Sequence, residues 1–369
     1  MILLLHNRYR LPGGEERAVE DLAWLIREHL GEDAEVLERD SAALGNRRAA
    51  GGLLRGGLAP EDVARAVRRT GARVVHAHNV TPSFGWRALA AAREAGARVV
   101  LHLHNYRLVC AQGLCFTRGE DCTRCHARHT LPGVRLNCRG TRAESAVYAA
   151  GVSLWQRRLA AQVDAFVVPS AFALDRLHEL GAPVGERAHV IGSVQREIAE
   201  ASAAADGRHV LAAGRLSPEK GFADAIDAAR AAGLPLVIAG DGADAGALRA
   251  RAAGADVRFT GALGAGELAA LRRQAGAAVV PSRFAEILPL AALEAMAAGL
   301  PVAAADAGGL GPAIPAEGRY PPGDTAALAE RLTRLWRDRD AGERSLARAR
   351  ERFSPEAVAA RLAAVYDRG

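Results

Sequence analysis

The segment GRLSPEKG, residues Gly214–Gly221, places two cations five residues apart directly after the apolar run HVLAA. A strand end, a glycine turn and a helix N-terminus form an anion site, because free backbone N–H groups and the helix dipole favour negative charge. Arg215 can grip a phosphate with its planar fork, and Lys220 acts as a compact point charge. Lys220 is the only lysine among 48 Lys and Arg residues. The spacing predicts a diphosphate site, with a solvated capping loop as the alternative.

A pair of carboxylates follows in FAEILPLAALEAMAAGLPV, where Glu286 and Glu294 are eight residues apart. Glu286 lies in a loop after the apolar run AAVV, and Glu294 lies in the Ala/Leu-rich helix that comes next. A carboxylate in apolar surroundings needs a polar partner, and ribose hydroxyls would supply one. The helix N-terminus near Leu288 and Leu290 would favour an anion. Two ordinary surface carboxylates are the alternative.

The elements that position these residues alternate short apolar runs with helical patterns, which predicts parallel sheets covered by helices. The rhythm breaks at residues 195–207, a polar, strandless stretch, and then restarts. The length of 369 residues suits two domains. We predict two doubly wound α/β domains facing a central cleft, over residues 1–192 and 193–352, with a C-terminal helix over residues 353–369. Ligands of such sheets bind at the carboxyl ends of the strands.

Taken together, these motifs resemble the retaining family 4 glycosyltransferases of GT-B fold over nearly the whole chain. GRLSPEKG resembles their diphosphate loop, and Glu286 with Glu294 resembles their E-x7-E motif. In the first domain, HNRYRLPGGEE resembles the glycine loop after the first strand. VVHAHN, HLHNY, VVPSAF and VIAGDG resemble further landmarks. One departure is Pro289, which has no N–H to give to a ligand.

The resemblance implies a role for each matching residue. Arg215 and Lys220 would hold the nucleotide diphosphate, Glu294 would bind the ribose, and Glu286 would face the donor sugar. His104 would touch that sugar, and Gly14 would lie beside the phosphates or the acceptor. Leu288, Leu290 and Gly240 complete the implied donor site. The C-terminal helix would cross back onto the first domain.

All five cysteines lie within residues 110–138. Cys110, Cys122, Cys125 and Cys138 have the spacing C-x11-C-x2-C-x12-C, which suits a tetrahedral structural zinc, with Cys115 left over. A metal would hold the long insertion 105–140 in place. Free buried thiols and a disulfide remain alternatives. A catalytic cysteine is not expected, since glycosyl transfer needs no thiol nucleophile.

Composition and charge limit the remaining classes. Half of the residues are hydrophobic and 24% are charged, which excludes a disordered or collagen-like chain. No apolar run approaches the ~18 residues that span a bilayer, and the N-terminus reads as a strand, not a signal peptide. We therefore expect a cytoplasmic protein. The net charge of +6 suits an anionic ligand, with the arginine-rich composition of a GC-rich genome as the alternative. The arginine-rich stretch Arg47–Arg69 suggests either weak contact with a membrane surface or a solvated helix and loop, and no motif supports nucleic-acid binding.

The expected function is that of a retaining hexosyltransferase. It would move a hexose from a UDP- or GDP-type sugar to an acceptor alcohol or saccharide, in natural-product or cell-envelope glycan synthesis. No cofactor is expected for the chemistry, because two cations already stand at the phosphates. Alternatives are another GT-B enzyme, such as a sugar-nucleotide epimerase or sugar-phosphate synthase, or a non-catalytic sugar-nucleotide-binding protein. The nucleotide base, the sugar, the acceptor and the oligomeric state stay open.

Overall fold

The computed structural model describes residues 1–9 and 13–367, which form two units. The first unit contains Met1–Val194 and the chain from Val358 onward, and the second contains Gln195–Ala357. The boundary lies two residues after the one expected from the sequence. Residues 353–357, which we had grouped with the final helix, lie with the second unit instead. From the expected loop HNRYRLPGGEE, residues 10–12 lie outside the described residues.

The first unit is built on a six-stranded sheet in which every pair of neighbouring strands is parallel. The strand order is β2-β1-β3-β4-β7-β8. The strands are β1 (Ile2–Arg8), β2 (Ala34–Asp40), β3 (Val74–Ala77), β4 (Arg98–His102), β7 (Ala165–Val168) and β8 (Ala188–Val190); between them, an antiparallel pair forms from β5 (Phe116–Thr117) and β6 (Glu120–Asp121).

Helices cover this sheet because each crossover between parallel strands needs a long connection. In chain order they are α1 (Gly14–His29), α2 (Asn46–Arg55), α3 (Pro60–Thr70), α4 (Gly85–Glu94), α5 (Leu131–Arg135), α6 (Arg142–Ala161) and α7 (Ala171–Glu179). One core packs Ile2, Leu4 and Val74 against α1 and against Leu362 and Val365 near the C-terminus. The segment around Leu362 and Val365 therefore belongs to the core of the first unit.

The second unit repeats the pattern with another six-stranded parallel sheet, in the order β11-β10-β9-β12-β13-β14. Its strands are β9 (His209–Ala213), β10 (Leu236–Ala239), β11 (Val257–Gly261), β12 (Ala275–Val280), β13 (Val302–Ala305) and β14 (Arg319–Tyr320). The helices from here to the C-terminus are α8 (Phe222–Ala232), α9 (Ala245–Arg251), α10 (Ala265–Arg273), α11 (Leu290–Ala297), α12 (Leu310–Ala313), α13 (Thr325–Leu335), α14 (Arg339–Phe353) and α15 (Pro355–Tyr366). In both sheets the strand order reverses beside the first strand, which is where open α/β sheets bind ligands.

One predicted helix is wrong in a way that matters for function. The apolar spacing in the sequence of Glu219–Ala232 predicts one continuous helix, but a short 3-10 turn over Pro218–Lys220 ends at Gly221 and α8 begins after it. Gly221 has a φ of 67°, and a Cβ there would lie 2.0 Å from the Pro281 carbonyl oxygen. Only glycine permits this close approach, which brings Lys220 next to the loop after β12.

The surface features bear on the expected location of the protein. Among the described residues, no helix is long and apolar enough to cross a bilayer. The stretch Arg47–Arg69 forms α2 and α3, in which Leu53 is buried and Leu54 is 44% exposed. Contact between this stretch and a membrane surface stays a prediction.

Candidate active site

The loops that follow β9, β10 and β12 are tied together at the carboxyl edge of the second sheet. Leu216 donates its backbone N–H to the Asp241 carbonyl at 2.9 Å, and Arg283 donates to the Glu219 carbonyl at 2.9 Å. Gly240, at a φ of 146°, allows the closest contact, because a Cβ there would lie 1.9 Å from the Gly214 carbonyl oxygen. This edge is the usual ligand-binding position of the fold. Gly240 therefore acts through backbone packing in this structure.

Lys220 and Glu286 meet at this edge although they are 66 residues apart. The Lys220 Nζ donates to Glu286 Oε1 at 2.6 Å, and the Ser282 hydroxyl donates to the same oxygen at 2.6 Å. Glu286 is 6% exposed, and the Lys220 side chain is 24% exposed. Both described hydrogen bonds of the carboxylate fall on Oε1, and none of them uses Oε2. A half-buried ammonium of this kind is a preorganised contact for a phosphate.

Arg215 stands apart from this pair. Its side chain is 64% exposed, and its described ion pair is a 3.8 Å contact with Glu219. Glu219 in turn accepts a hydrogen bond from Ser217 at 2.6 Å. The guanidinium is therefore accessible and only loosely held, as a group that closes on an anionic ligand should be.

Glu294 has a protein partner that the sequence did not predict. It forms an ion pair with Arg272 of α10, and the two side chains are only 12% and 9% exposed. The carboxylate therefore has a polar partner within the protein itself, in addition to any ribose hydroxyl that would bind there. The sequence gives no signal for Arg272, because arginine is the common cation of this chain and no helix is predicted over α10. The ribose role of Glu294 stays a prediction.

Replacing Glu294 with alanine is expected to destabilise the second unit by about 3–5 kcal/mol, because it removes the carboxylate from a buried guanidinium. The midpoint of urea unfolding checks this result. Glu330→Ala is the matched control, since its pair with Arg331 is 3.6 Å long and the Glu330 side chain is 74% exposed. That control should cost less than about 1 kcal/mol. Equal midpoints for the two variants would contradict the assigned burial of the Arg272 pair.

The N-terminus of α11 is the third part of the expected donor site. The helix begins at Leu290 with Pro289 as its N-cap residue, and no side chain caps it. Leu288 and Leu290 are half-buried against the core beneath the sheet. The backbone N–H groups of the first turn, not these side chains, are what an anion would meet here. Binding of a donor at Leu288 and Leu290 stays a prediction.

A polar network that the sequence analysis missed lies at the carboxyl edge of the first sheet. The Tyr9 hydroxyl donates to Glu15 Oε2 at 2.7 Å and accepts from Arg107 at 3.0 Å. Arg107 also donates to Asn79 Oδ1 at 3.3 Å. Desolvation raises the pKa of Glu15, while the bond from Tyr9 and the charge of Arg107 oppose the rise. Gly14 begins α1 beside this network and is exposed.

Four histidines form a stacked array on one face of the first sheet. The rings of His76 and His78 stack at 4.8 Å, and those of His102 and His104 at 3.9 Å. His104 is half-buried, and its Nε2 is 2.8 Å from His78 Nδ1. A contact between His104 and a sugar would therefore have to use Nδ1. Burial lowers the pKa of His76 and His104 to about 3, so these rings are neutral at pH 7.

The array also gathers possible metal ligands. Within residues 1–9 and 13–367, His76, His78 and His102 are a group whose ligand atoms all lie within 4.8 Å of one another. A metal ion binds in the plane of an imidazole, along the nitrogen lone pair. The rings of His76 and His78 are nearly parallel, at 11°, so their lone pairs run side by side and do not converge. The array is better suited to packing as neutral rings than to holding a metal.

The neutral array predicts acid sensitivity. The free energy of unfolding should fall as pH is lowered from about 6.5, because the unfolded chain takes up protons at its histidines while His76 and His102 stay neutral in the fold. Each such ring contributes a slope of at most about 1.4 kcal/mol per pH unit. Both ring nitrogens of His102 are buried without a described partner. His102→Leu should therefore flatten the slope without loss of stability at pH 8, as measured by urea unfolding at several pH values. An unchanged slope would mean that His102 is protonated in the fold.

The cysteines of the insertion also come together. All five line one small cavity, and all five are free thiols. The disulfide alternative is thus absent from the structure. The Gly113 N–H donates to Cys110 Sγ at 3.3 Å. Metal binding by Cys110, Cys122, Cys125 and Cys138 stays a prediction and is taken up below.

Comparison with known proteins agrees with this geometry. Residues 14–193 match the family model described as glycosyl transferase 4-like domain, and residues 207–338 match glycosyl transferases group 1. A glycogen synthase of Mycobacterium tuberculosis (strain ATCC 25618 / H37Rv) is 38% identical over 174 residues. That match covers 42% of this chain and 42% of the relative, so the similarity extends over about two fifths of the curated relatives.

Solved structures resemble the chain over nearly its full length. Sucrose-phosphate synthase from Thermosynechococcus elongatus has a TM-score of 0.69 at 18% identity, covering 99% of this chain and 98% of that one. Anabaena HepE in complex with UDP has a TM-score of 0.63 at 18% identity, covering 98% of each chain. At such identities the likeness concerns the fold, and it confirms the two Rossmann-like domains that the motifs implied. With both units matched by their family models, the chain belongs to the family 4-like glycosyltransferases of GT-B fold.

Proposed function

We propose that this protein transfers a hexose from a nucleoside diphosphate sugar to an acceptor hydroxyl, with retention of the anomeric configuration. The observation that carries the proposal is the bond between Lys220 and Glu286 at the carboxyl edge of the second sheet. A transferase of this kind needs a cation where the leaving diphosphate gains charge and a polar group beside the sugar. Among related structures, HepE has been solved with UDP-glucose, which favours a UDP-sugar as the donor.

The residues divide the proposed reaction between them. As the bond between the anomeric carbon and the phosphate oxygen breaks, negative charge grows on the diphosphate. Lys220 and the accessible Arg215 stabilise that charge, and the N-terminus of α11 adds its dipole. The leaving phosphate oxygen takes the proton of the acceptor hydroxyl as the new bond forms on the same face. Glu286 fixes Lys220 through Oε1 and presents Oε2 to the sugar. No metal ion or cofactor enters this scheme.

The acceptor side is proposed to use the network of Tyr9, Glu15 and Arg107 in the first unit. Tyr9 and Arg107 present a hydroxyl and a cation at the carboxyl edge of that sheet, where hydroxylated ligands find both donors and acceptors. His104 lies two residues after the end of β4, in the same segment as Arg107. The acceptor is proposed to be an alcohol or saccharide of natural-product or cell-envelope synthesis.

A nucleotide panel tests the donor. UDP, GDP, dTDP and ADP are added separately to the purified full chain, and thermal unfolding is recorded. One of them, at 100 times its Kd, should stabilise the protein by about 2.7 kcal/mol. The matching UDP- or GDP-sugar is then incubated with candidate acceptors, and the anomeric configuration of the product is read by NMR. No shift with any nucleotide would overturn the proposal. Binding without transfer or donor hydrolysis would favour a non-catalytic sugar-nucleotide-binding protein.

A further inference from the structure

The five cysteines of this chain surround one cavity in the insertion 105–140. They come from separate points of the insertion, and they include every cysteine in the sequence. The cavity has room for about one water-sized group. A chance scatter of five cysteines along 369 residues would not place all of them on one small void. The arrangement suggests that the sulfurs share a ligand.

The insertion has little regular structure of its own to hold this shape. Its described elements are the two-residue strands β5 and β6 and the five-residue helix α5. Four of the six described non-glycine residues with positive φ lie here: Cys115, Arg118, Ala127 and Asn137. Such conformations cost about 1–3 kcal/mol each and persist only where the surroundings fix them. A bound metal would supply that restraint.

The Cys110 sulfur already has a backbone hydrogen-bond donor. The Gly113 N–H donates to Cys110 Sγ at 3.3 Å. Backbone N–H groups aimed at sulfur stabilise the thiolate form that metals require. Cys115 is the most deeply buried of the five cysteines, at 3% exposed.

We propose that Cys110, Cys122, Cys125 and Cys138 bind one zinc ion as thiolates. Cys115, the most deeply buried of the five, lies outside the ligand set. Binding forms four zinc–sulfur bonds and releases the thiol protons of the four ligands to solvent, with no change of oxidation state. The C-x2-C spacing of Cys122 and Cys125 is typical of zinc sites. Among the described residues, the group whose ligand atoms all lie within 4.8 Å of one another is the histidine array, and the cysteine sulfurs are more widely spaced. Zinc binding would therefore draw the four sulfurs inward around the cavity.

The zinc site would help to place Arg107 on the acceptor side, a consequence that rests on the proposed function. The Tyr106 N–H donates to the Gly113 carbonyl at 2.8 Å, which folds the start of the insertion back on itself. Gly113 packs against the side chain of Arg107, and Arg107 holds the Tyr9 hydroxyl. Gln156 of α6 donates to the Leu108 and Ala127 carbonyls, both at 2.9 Å. Arg107 is thus placed by the segment that the zinc would fix.

Metal analysis of the full chain tests the zinc site independently of any transfer activity. Protein purified without chelator should contain about one zinc per chain by mass spectrometry of the elements. Cys125→Ser should lose the zinc. Cys115→Ser is the matched control, because it alters a thiol of the same cavity and should keep the full equivalent. Cobalt exchanged into the wild type should show the intense visible bands of a tetrahedral thiolate site.

A second measurement covers the case in which Cys125→Ser does not fold. Titrating the wild type with an organomercurial should release one zinc per chain into a chromogenic chelator as the four ligand thiols are modified, with Cys115 as a fifth reactive thiol. Zinc-free protein that also fails to bind added zinc, a disulfide found by mass spectrometry, or iron with acid-labile sulfide would each overturn the proposal. Loss of the zinc from Cys115→Ser would overturn the ligand assignment. Nucleotide binding by zinc-free protein would leave the donor proposal standing, so the two proposals fail separately.

Discussion

Lys220→Ala is expected to lower kcat by about 10²–10³-fold, the effect of removing one preorganised electrostatic contact from a transition state. The ammonium is held at 2.6 Å from Glu286 and is only 24% exposed, so water replaces it poorly. Charge on the diphosphate grows as the glycosidic bond breaks. The interaction is therefore stronger in the transition state than in the ground state, and kcat should fall more than nucleotide affinity. Steady-state kinetics and calorimetric titration with the nucleoside diphosphate measure the two effects.

Two further variants show whether the position or the charge matters. Lys220→Arg keeps the charge but brings a planar fork into a space shaped for a compact ammonium, and it should remain impaired. Arg230→Ala removes a cation from the exposed side of α8, where it pairs with Asp227 at 3.1 Å, and should keep turnover within about twofold. A Lys220→Ala enzyme with wild-type turnover would show that the diphosphate binds elsewhere.

The sequence could predict that Lys220 and Glu286 lie at the same edge of the sheet, because this proximity follows from the strand order. Each residue comes after a strand, β9 and β12, and these strands are neighbours in a parallel sheet. Parallel neighbours bring their following loops to the same edge. What the sequence could not give is the direct bond between the side chains, since it depends on the left-handed turn at Gly221. That turn replaces the start of the predicted helix.

The missed features share a physical reason. Arg272 and Arg107 are arginines in a chain where nearly every cation is arginine, so residue type carried no signal. Their roles come from burial and from partners distant in sequence, as in the 98-residue separation between Tyr9 and Arg107. Local periodicity reports which face of an element is apolar, but it does not report which polar side chain a neighbouring element supplies. The cysteines were found because a rare residue type was concentrated in one segment.

Glu286→Gln is expected to abolish most turnover while leaving nucleotide affinity equal to that of the wild type or slightly higher. Glutamine has the same shape and can still accept a bond from Ser282, so the loop after β12 should keep its fold. The change removes the negative charge that competes with a phosphate for the Lys220 ammonium, which is why affinity should not fall. It also removes the carboxylate oxygen proposed to face the developing positive charge of the sugar, for which we expect a loss of about 10²–10³-fold in kcat.

Ser282→Ala separates the carboxylate's charge from its orientation. The Ser282 hydroxyl is 1% exposed and bonds the same oxygen as Lys220, so its loss should loosen Glu286 without neutralising it. We expect a decrease in kcat of about 10- to 100-fold, in line with the ~1.5–3 kcal/mol of a hydrogen bond to a charged group. Turnover and nucleotide affinity that fall together in Glu286→Gln would mean that the residue only holds Lys220 in place. A fall in turnover without a fall in affinity assigns Glu286 to the sugar. In that case Lys220 governs binding of the diphosphate, and Glu286, its bonded partner, governs passage through the transition state.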